Sequence, residues 1–317
     1  MPRRDPWELI SGAPHPGLLT SRRVDAAHPQ ELFWARNDTG ARALVLKWDQ
    51  PLELPVSAPR IRGIAVEQAQ GMLKLVLQDN SSLDVFQTLC EDMIEFLRPI
   101  HSPCDAVAAM FLRLQKWQRL LDKGGRGLLR EPEIRGLCAE LRFLDQELLS
   151  RFGPDSVGLW TGPSGTPQDF QFGNSAIEIK SRSASGNPSI TISSADQLWA
   201  PGQGLYLFVY SLGQQPAGTG GHSLRALVEK VRDQVSPGHW RNQLEEKLLE
   251  VGYMDLPEYE ETDYAISAPM SFEVRDGFPR LTPPIIPDGI NSITYRIHLE
   301  KCIPFSTTVD WATLPKE

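Results

Sequence analysis

Residues 168–181 read QDFQFGNSAIEIKS, and the fold turns on this stretch. Phe170 and Phe172 alternate with Asp169 and Gln171; beyond Gly173-Asn174-Ser175, Ile177 and Ile179 alternate with Glu178 and Lys180. Period-two alternation on both sides of a short Gly/Asn turn is the signature of a β-hairpin. Successive side chains on a strand point to opposite faces, so the aromatic and branched residues share the face turned to the core. Asp169, Glu178 and Lys180 then fall together on the other face. Two carboxylates and an ammonium on adjacent strands make a place for a divalent cation and an attacking water.

Upstream, a helix is expected from Pro132, a residue favoured at the first helical position. Ile134, Leu137, Cys138, Leu141, Leu144 and Leu148 form its apolar stripe, and Gly153 ends it. Glu140 lies on that stripe or at its edge, where a carboxylate is costly unless paired, protonated or bound to a cation. The plainer reading is a boundary glutamate whose head reaches water. Downstream come a strand near Ser189–Ser193, a short SADQLW segment and the buried run LYLFVY. A polar loop (213–221) leads to amphipathic helices over Ser223–Val235 and His239–Val251. Two more strands, YAISAPMSFEV and ITYRIHL, flank a Pro-rich turn.

Towards the N-terminus, residues 1–30 look like an irregular lead-in. The runs LFWA, ALVLKW, IRGIAV, MLKLVL and LDVF between Glu31 and Val85 read as an antiparallel β module. Helical periodicity follows from about Asp84 to Leu121, interrupted at Pro99 and Pro103 and stopped by Gly124-Gly125. Three parts are expected: a β-rich module followed by helices (1–128), a core (129–215) and a helical and strand extension (216–317).

The totals narrow the function. An apolar share of 41% supports a proper core. No apolar run approaches the ~20 residues that cross a bilayer, and MPRRDPWELISG has no apolar region behind its arginines. A cytoplasmic location without membrane contact is the expectation. Cys90, Cys104, Cys138 and Cys302 form no CxxC, and the six histidines show no metal-ligand spacing, which argues against structural zinc. The Gly-rich loops lack a P-loop Lys-Ser/Thr, and Ser193-Ser194 lacks a nucleophile-elbow context. A net charge of −8 opposes bulk coating of nucleic acid but allows a local basic strip. Such a strip is expected between Leu112 and Arg151, where nine Lys/Arg stand against six Asp/Glu.

A metal-dependent phosphodiesterase must neutralise the scissile phosphate and produce hydroxide near neutral pH. Carboxylates hold magnesium for this purpose, and a neighbouring lysine orients the water or offsets charge in the transition state. Asp169, Glu178 and Lys180 supply those parts, and Glu140 could add a ligand from the preceding helix. Glu-x-Lys arises by chance about once in a chain of this length. A second copy, Glu245-Glu246-Lys247, sits in an amphipathic helix with no upstream strand and reads as a solvated face. The hairpin copy follows a carboxylate strand and a helix with a glutamate. Its bland alternative is an exposed charged face of a sheet. Gln197 reads either as a hydrogen-bonding residue of the site or of bound DNA, or as a polar residue at a helix end.

Taken in order, the helix with Glu140, Asp169, Glu178-Ile179-Lys180 and Gln197 resemble the motifs of the PD-(D/E)XK nuclease superfamily, which includes many restriction endonucleases. AELRFL, W-x-GP-x-G, DF-x-F, IEIKS, ISS-x-x-QL and LYLFVYSLG look more narrowly like one bacterial family of PD-(D/E)XK proteins, found in restriction and phage-defence gene clusters. The resemblance is clearest over residues 131–212. It implies an α/β (α+β) fold with a restriction-endonuclease-like αβββαβ core and mixed central sheet. It further implies Mg2+, with Mn2+ as a possible substitute, held by Asp169, Glu178 and Glu140. Lys180 and Gln197 complete the implied catalytic set, and cleavage would leave 5′-phosphates. DNA is the implied partner, with other subunits of a defence or restriction system and room for an oligomer. Gln168 stands where the motif has a proline, which is not a ligand. Two readings follow: a magnesium-dependent DNA endonuclease of a restriction or anti-phage system, or a non-catalytic adaptor that keeps the fold to bind DNA or a protein. The intact Asp169, Glu178 and Lys180 favour the enzyme. RNA as substrate is not separated from DNA by sequence.

Overall fold

A computed structural model describes residues 5–11, 15–49, 59–69, 71–124, 129–236, 238–290 and 292–311. The chain divides into two compact units, Met1–Leu128 and Leu129–Glu317.

In the first unit, β1 (Leu19–Arg23), β2 (Glu31–Asn37), β3 (Arg42–Lys47), β4 (Ile64–Ala69) and β5 (Met72–Leu77) form one antiparallel sheet in the order β1-β2-β3-β5-β4. The expected β module is present. Helices α1 (Leu83–Leu97) and α2 (Pro103–Gly124) follow, and Pro103 opens the second. Two expectations are corrected. The lead-in contains a strand, β1, none of whose residues is fully buried; it shows no apolar alternation and is held by backbone pairing to β2. The LDVF run opens α1 instead of closing the sheet. Phe86, Leu89, Cys90, Met93, Ile94 and Leu97 are buried at helical spacing, and that period wins.

The second unit starts with α3 (Glu131–Phe143), whose first turn is closed by Glu133 accepting the Arg130 N–H at 2.7 Å. The helix continues through a π-helical stretch, Leu144–Leu149, into α4 (Ser150–Phe152). Gly153 ends it at φ +83°, a left-handed conformation that disfavours side chains. Leu137, Cys138, Leu141, Leu144 and Leu148 are buried as the stripe requires.

The strands that follow are β6 (Phe170–Phe172), β7 (Ser175–Ser183), β8 (Ser189–Ile192), β9 (Gly204–Pro216) and β10 (His222–Ser223). Helices α5 (Leu224–Gln234) and α6 (His239–Glu250) come next, then β11 (Thr262–Ile266), β12 (Met270–Glu273) and β13 (Tyr295–His298). The central sheet runs β10-β11-β9-β7-β6, with β12 also paired to β9. β7 and β9 are parallel from Ser175↔Gly204 to Ser183↔Leu212, and the other pairs are antiparallel. The hairpin register sets Phe170 opposite Ile177 and Phe172 opposite Ser175. This is the mixed α+β, nuclease-like architecture.

Three details depart from the expected pattern. β8 leaves the central sheet and pairs with β13 in a two-stranded ribbon. The helix expected between β8 and β9 is a single 3-10 turn, Ala195–Leu198, because Pro201 and Gly202 follow too closely for more. The YAISAPMSFEV run divides into β11 and β12 at Pro269, which has no N–H to give a ladder. Residues 216–317 thus contribute strands to the same sheet as residues 129–215.

Both faces of the sheet centre are covered. On one face the ring of Phe143 in α3 lies 4.9 Å from Phe170 and 4.9 Å from Phe208. On the other, Ala176, Leu205, Leu207 and Val209 pack with Ile190, Ile192, Leu198, Phe272 and Ile297. β7 is therefore buried on both sides over its first half, and its charged residues lie inside. Phe143→Ala should cost about 3–5 kcal/mol, the usual penalty for emptying an aromatic core position. Thermal unfolding followed by far-ultraviolet circular dichroism checks it; a melting temperature equal to the parent's would mean the aromatic contact does not seat α3.

Candidate active site

Asp169 is fixed at both ends. Its backbone carbonyl accepts the N–H groups of Thr161 and Gly162, each at 2.9 Å, and its Oδ2 accepts the Ile179 N–H at 2.6 Å. Glycine at 162 allows this close approach, since a Cβ there would stand 3.0 Å from Asp169 Oδ1 and 3.1 Å from its Cα and would push Asp169 aside. Glu178 is fully buried on β7. Lys180, two residues on and on the same face, brings Nζ to 2.6 Å from Glu178 Oε1 and donates to Gln197 Oε1 at 3.0 Å. Gln197 rides on the 3-10 turn, and its Oε1 also accepts the Ser193 N–H at 2.8 Å. Glu140, near the end of α3, accepts the Trp160 Nε1–H at 2.8 Å. The five residues singled out from sequence are thus brought together: Asp169 against the β7 backbone, Glu178–Lys180–Gln197 in one chain, and Glu140 within electrostatic reach of Asp169 and Lys180.

Burial governs the electrostatics, because removing water disfavours the charged form of an acid. It holds the Glu140 carboxyl above its ordinary range, and the Asp169 charge adds to it; the Trp160 N–H and Lys180 oppose. Asp169 is raised by burial against the pull of Lys180 and the Ile179 N–H. Glu178 is raised well above the ordinary carboxylate range, by burial first and then by Asp169. For Lys180, burial pushes the pKa down, but Glu178, Asp169 and Glu140 outweigh it and the ammonium is stabilised. Three acids share one cation.

Some expectations are corrected at this point. Glu178 is not on an exposed charged face. The second Glu-x-Lys is not a solvated face either: Glu245 pairs with Arg232 and Arg241, while Lys247 is buried and donates to the Trp160 carbonyl. The signal was present, since Lys247 lies between Leu244 and Leu248 on the buried stripe. Five of the nine cations expected to form a basic strip over residues 112–151 are paired, and Arg126 lies outside the described residues. Arg113, Arg130, Arg135, Arg142 and Arg151 face Asp92, Glu133, Glu131, Asp145 and Glu147. Sequence reasoning missed Trp160 and Lys247 as supports of Glu140. It did quote Trp160, inside the W-x-GP-x-G turn, without a role.

Residues 4–300 match the family described as "Putative PD-(D/E)XK family member (DUF4420)". The chain belongs to this family. No curated protein and no solved structure matches it. No helix among the described residues is long and apolar enough to cross a membrane.

A PD-(D/E)XK nuclease site implies a divalent metal, and the donors here fit one. Both oxygens of Glu178 are buried; Oε1 meets the Lys180 ammonium at 2.6 Å, and Oε2 has no hydrogen-bond donor. An orphaned buried carboxylate oxygen is costly unless a cation completes it. The donors are all oxygen, which suits a hard ion. Among the described residues, no three His, Cys, Asp or Glu side chains are already gathered at metal-holding spacing. Asp169 and Glu178 would therefore supply the protein ligands and leave the other positions to water and phosphate oxygens, as magnesium sites commonly do. Glu140, bonded to Trp160, stands behind them.

The raised acids make a stability prediction. Above about pH 4.3 the unfolded chain releases the Glu178 proton while the folded chain keeps it, so this group's contribution to stability falls as pH rises towards its folded pKa. Glu178→Gln removes that loss and leaves Lys180 paired by two acids. In chelator the variant should melt above the parent, and the gap should widen from pH 5 to pH 8, by about 2–4 °C per kcal/mol in a unit of this size. A constant gap would show a Glu178 that ionises as it does unfolded, and a gap that narrows with pH a carboxylate the folded chain stabilises in its charged form; either defeats the prediction.

Proposed function

We propose that this chain is a magnesium-dependent endodeoxyribonuclease that hydrolyses phosphodiester bonds within a bacterial restriction or anti-phage defence system. The observation that carries the reading is Glu178, buried with one oxygen unpartnered and the other met by the Lys180 ammonium, beside Asp169. Membership of a PD-(D/E)XK family supports it. Magnesium, with manganese as a substitute, would acidify a water and polarise the phosphate. Asp169 and Glu178 would hold it, with Glu140 behind them. Lys180 stays protonated and offsets negative charge building on the phosphate, while Gln197 keeps the ammonium from turning away. The apolar layer of β8 and β13 keeps water from the acids, which strengthens each of these interactions. DNA is the substrate of this reading, and further subunits of the defence system are its protein partners.

The test is cleavage of supercoiled plasmid with magnesium, manganese or chelator, beside an RNA duplex. Lys180→Ala should cut slower by about two to three orders of magnitude, the usual loss for one preorganised electrostatic group. Its DNA affinity in chelator should hardly change, since one phosphate contact is a small part of an interface. Asp169→Ala should abolish cleavage and leave DNA binding in chelator equal or slightly tighter, because a repelling carboxylate has gone. Equal rates for the parent and Lys180→Ala would defeat the assignment. A parent that binds DNA but never cuts with metal would instead be the adaptor.

A further inference from the structure

Gln168 stands directly before Asp169, in the place of the motif's proline. Its residue is only 4% exposed. The side-chain Nε2 donates to the Asp196 carbonyl at 2.7 Å and lies 3.3 Å from that of Trp199 and 3.4 Å from that of Gln197. All three carbonyls belong to the Ala195–Leu198 turn and the residue that caps it. The Gln168 backbone carbonyl is itself held by the Thr166 hydroxyl at 2.8 Å. One residue therefore ties the approach to β6 to the turn between β8 and β9.

That turn is short, although Leu198 is buried and its carbonyl accepts from Arg280 at 2.7 Å. It is four residues long, has no side-chain cap at its start, and is followed closely by Pro201 and Gly202. Carbonyls at the end of so short a turn have few partners of their own. Its orientation decides where Gln197 Oε1 points, and Oε1 is the acceptor that the Lys180 ammonium uses besides Glu178. A buried amide facing three carbonyls suits a clamp: on its replacement Asp196 keeps the Trp199 N–H, but all three carbonyls lose their side-chain donor.

We infer that Gln168 is a positioning residue: its carboxamide clamps the Ala195–Leu198 turn so that Gln197 holds the Lys180 ammonium beside Glu178. The consequence for cleavage rests on the nuclease reading above; the positioning itself does not. Where the motif's proline would only shape the backbone, this chain uses a side chain that couples the Asp169 strand to the acceptor of the lysine.

The test needs no activity. Gln168→Met keeps length and volume but removes the donor; Gln168→Glu keeps the shape and turns carboxylate oxygens towards the carbonyls. Parent and variants are pulsed with acetic anhydride in chelator, and each lysine's acetylation is read by peptide mass spectrometry. Lys301, with a side chain 71% exposed, calibrates the reagent. Lys247, buried and bonded to the Trp160 carbonyl, reports general loosening. Lys180 should react about tenfold faster in either variant, as expected for losing one or two net hydrogen bonds, with Lys247 unchanged. Gln197→Met should give the same rise, and the double variant Gln168→Met/Gln197→Met no more, because Gln168 acts through Gln197. An unchanged Lys180 rate overturns the inference. So do additive effects in the double variant, and so does a parallel rise at Lys247, which would make Gln168 a general stability residue. In an active parent, Gln168→Met should also lower kcat by about tenfold with KM for plasmid within about twofold. A parent that never cuts defeats the nuclease reading alone, and the acetylation pattern still decides the role of Gln168.

Discussion

Three carboxylates held out of water against one ammonium set the terms for everything around them. Glu178 is fully buried, Asp169 and Glu140 are hemmed in, and Lys180 is the shared counter-charge. Burying such groups costs several kcal/mol each unless partners restore what water provided. The surrounding structure can be read as a set of answers to that cost. The Ile179 N–H answers Asp169, the Trp160 N–H answers Glu140, and Lys180 partly answers Glu178. The remainder is left for a ligand. A fold selected for stability alone would place aliphatic residues at these positions, and a site tolerates the strain because it uses it.

The burial is a result of topology. A parallel strand pair such as β7 and β9 is normally covered on both faces, and here α3 supplies one cover while the β8–β13 ribbon supplies the other, packed with Phe272 of β12. Any charged residue in the middle of β7 is then enclosed regardless of its polarity. Alternation along the strand decides which cover it meets: Ile177 and Ile179 turn to the aromatic layer of Phe143, Glu178 and Lys180 to the aliphatic one.

What could be read from sequence was local. The hairpin, the α3 stripe, the α5 and α6 helices and four of the five strands of the first sheet each rest on a period within one segment, and the structure contains them. Asp169, Glu178 and Lys180 were legible because a two-residue period and a short turn fix their common face. Strand β1 was not, because LTSRR has no buried side chain to make a pattern. The ribbon was not, because β8 finds its partner about a hundred residues further on, as the Thr294–Ser193 contact shows. Lys247 was misread by charge, although its spacing from Leu244 and Leu248 put it inside. Gln168 showed only as a departure from a motif; its three carbonyl partners come from a turn almost thirty residues away.

The supports of the site come from every part of the second unit. Lys247 in α6 holds the Trp160 carbonyl, and Trp160 holds Glu140 in α3. Arg280, before the Pro-rich turn, donates to the Leu198 carbonyl at 2.7 Å, and Thr294 beyond it reaches the Ser193 carbonyl. Both of those carbonyls flank Gln197. β13 closes the ribbon whose Ile297 helps to bury the acid-bearing face. Residues after 216 are therefore structural parts of the enclosure as well as any contact surface they offer. The site is assembled only when the last strand has paired, because the ammonium's acceptor, the glutamate's donor and the apolar cover each depend on a segment that the motif residues do not contain.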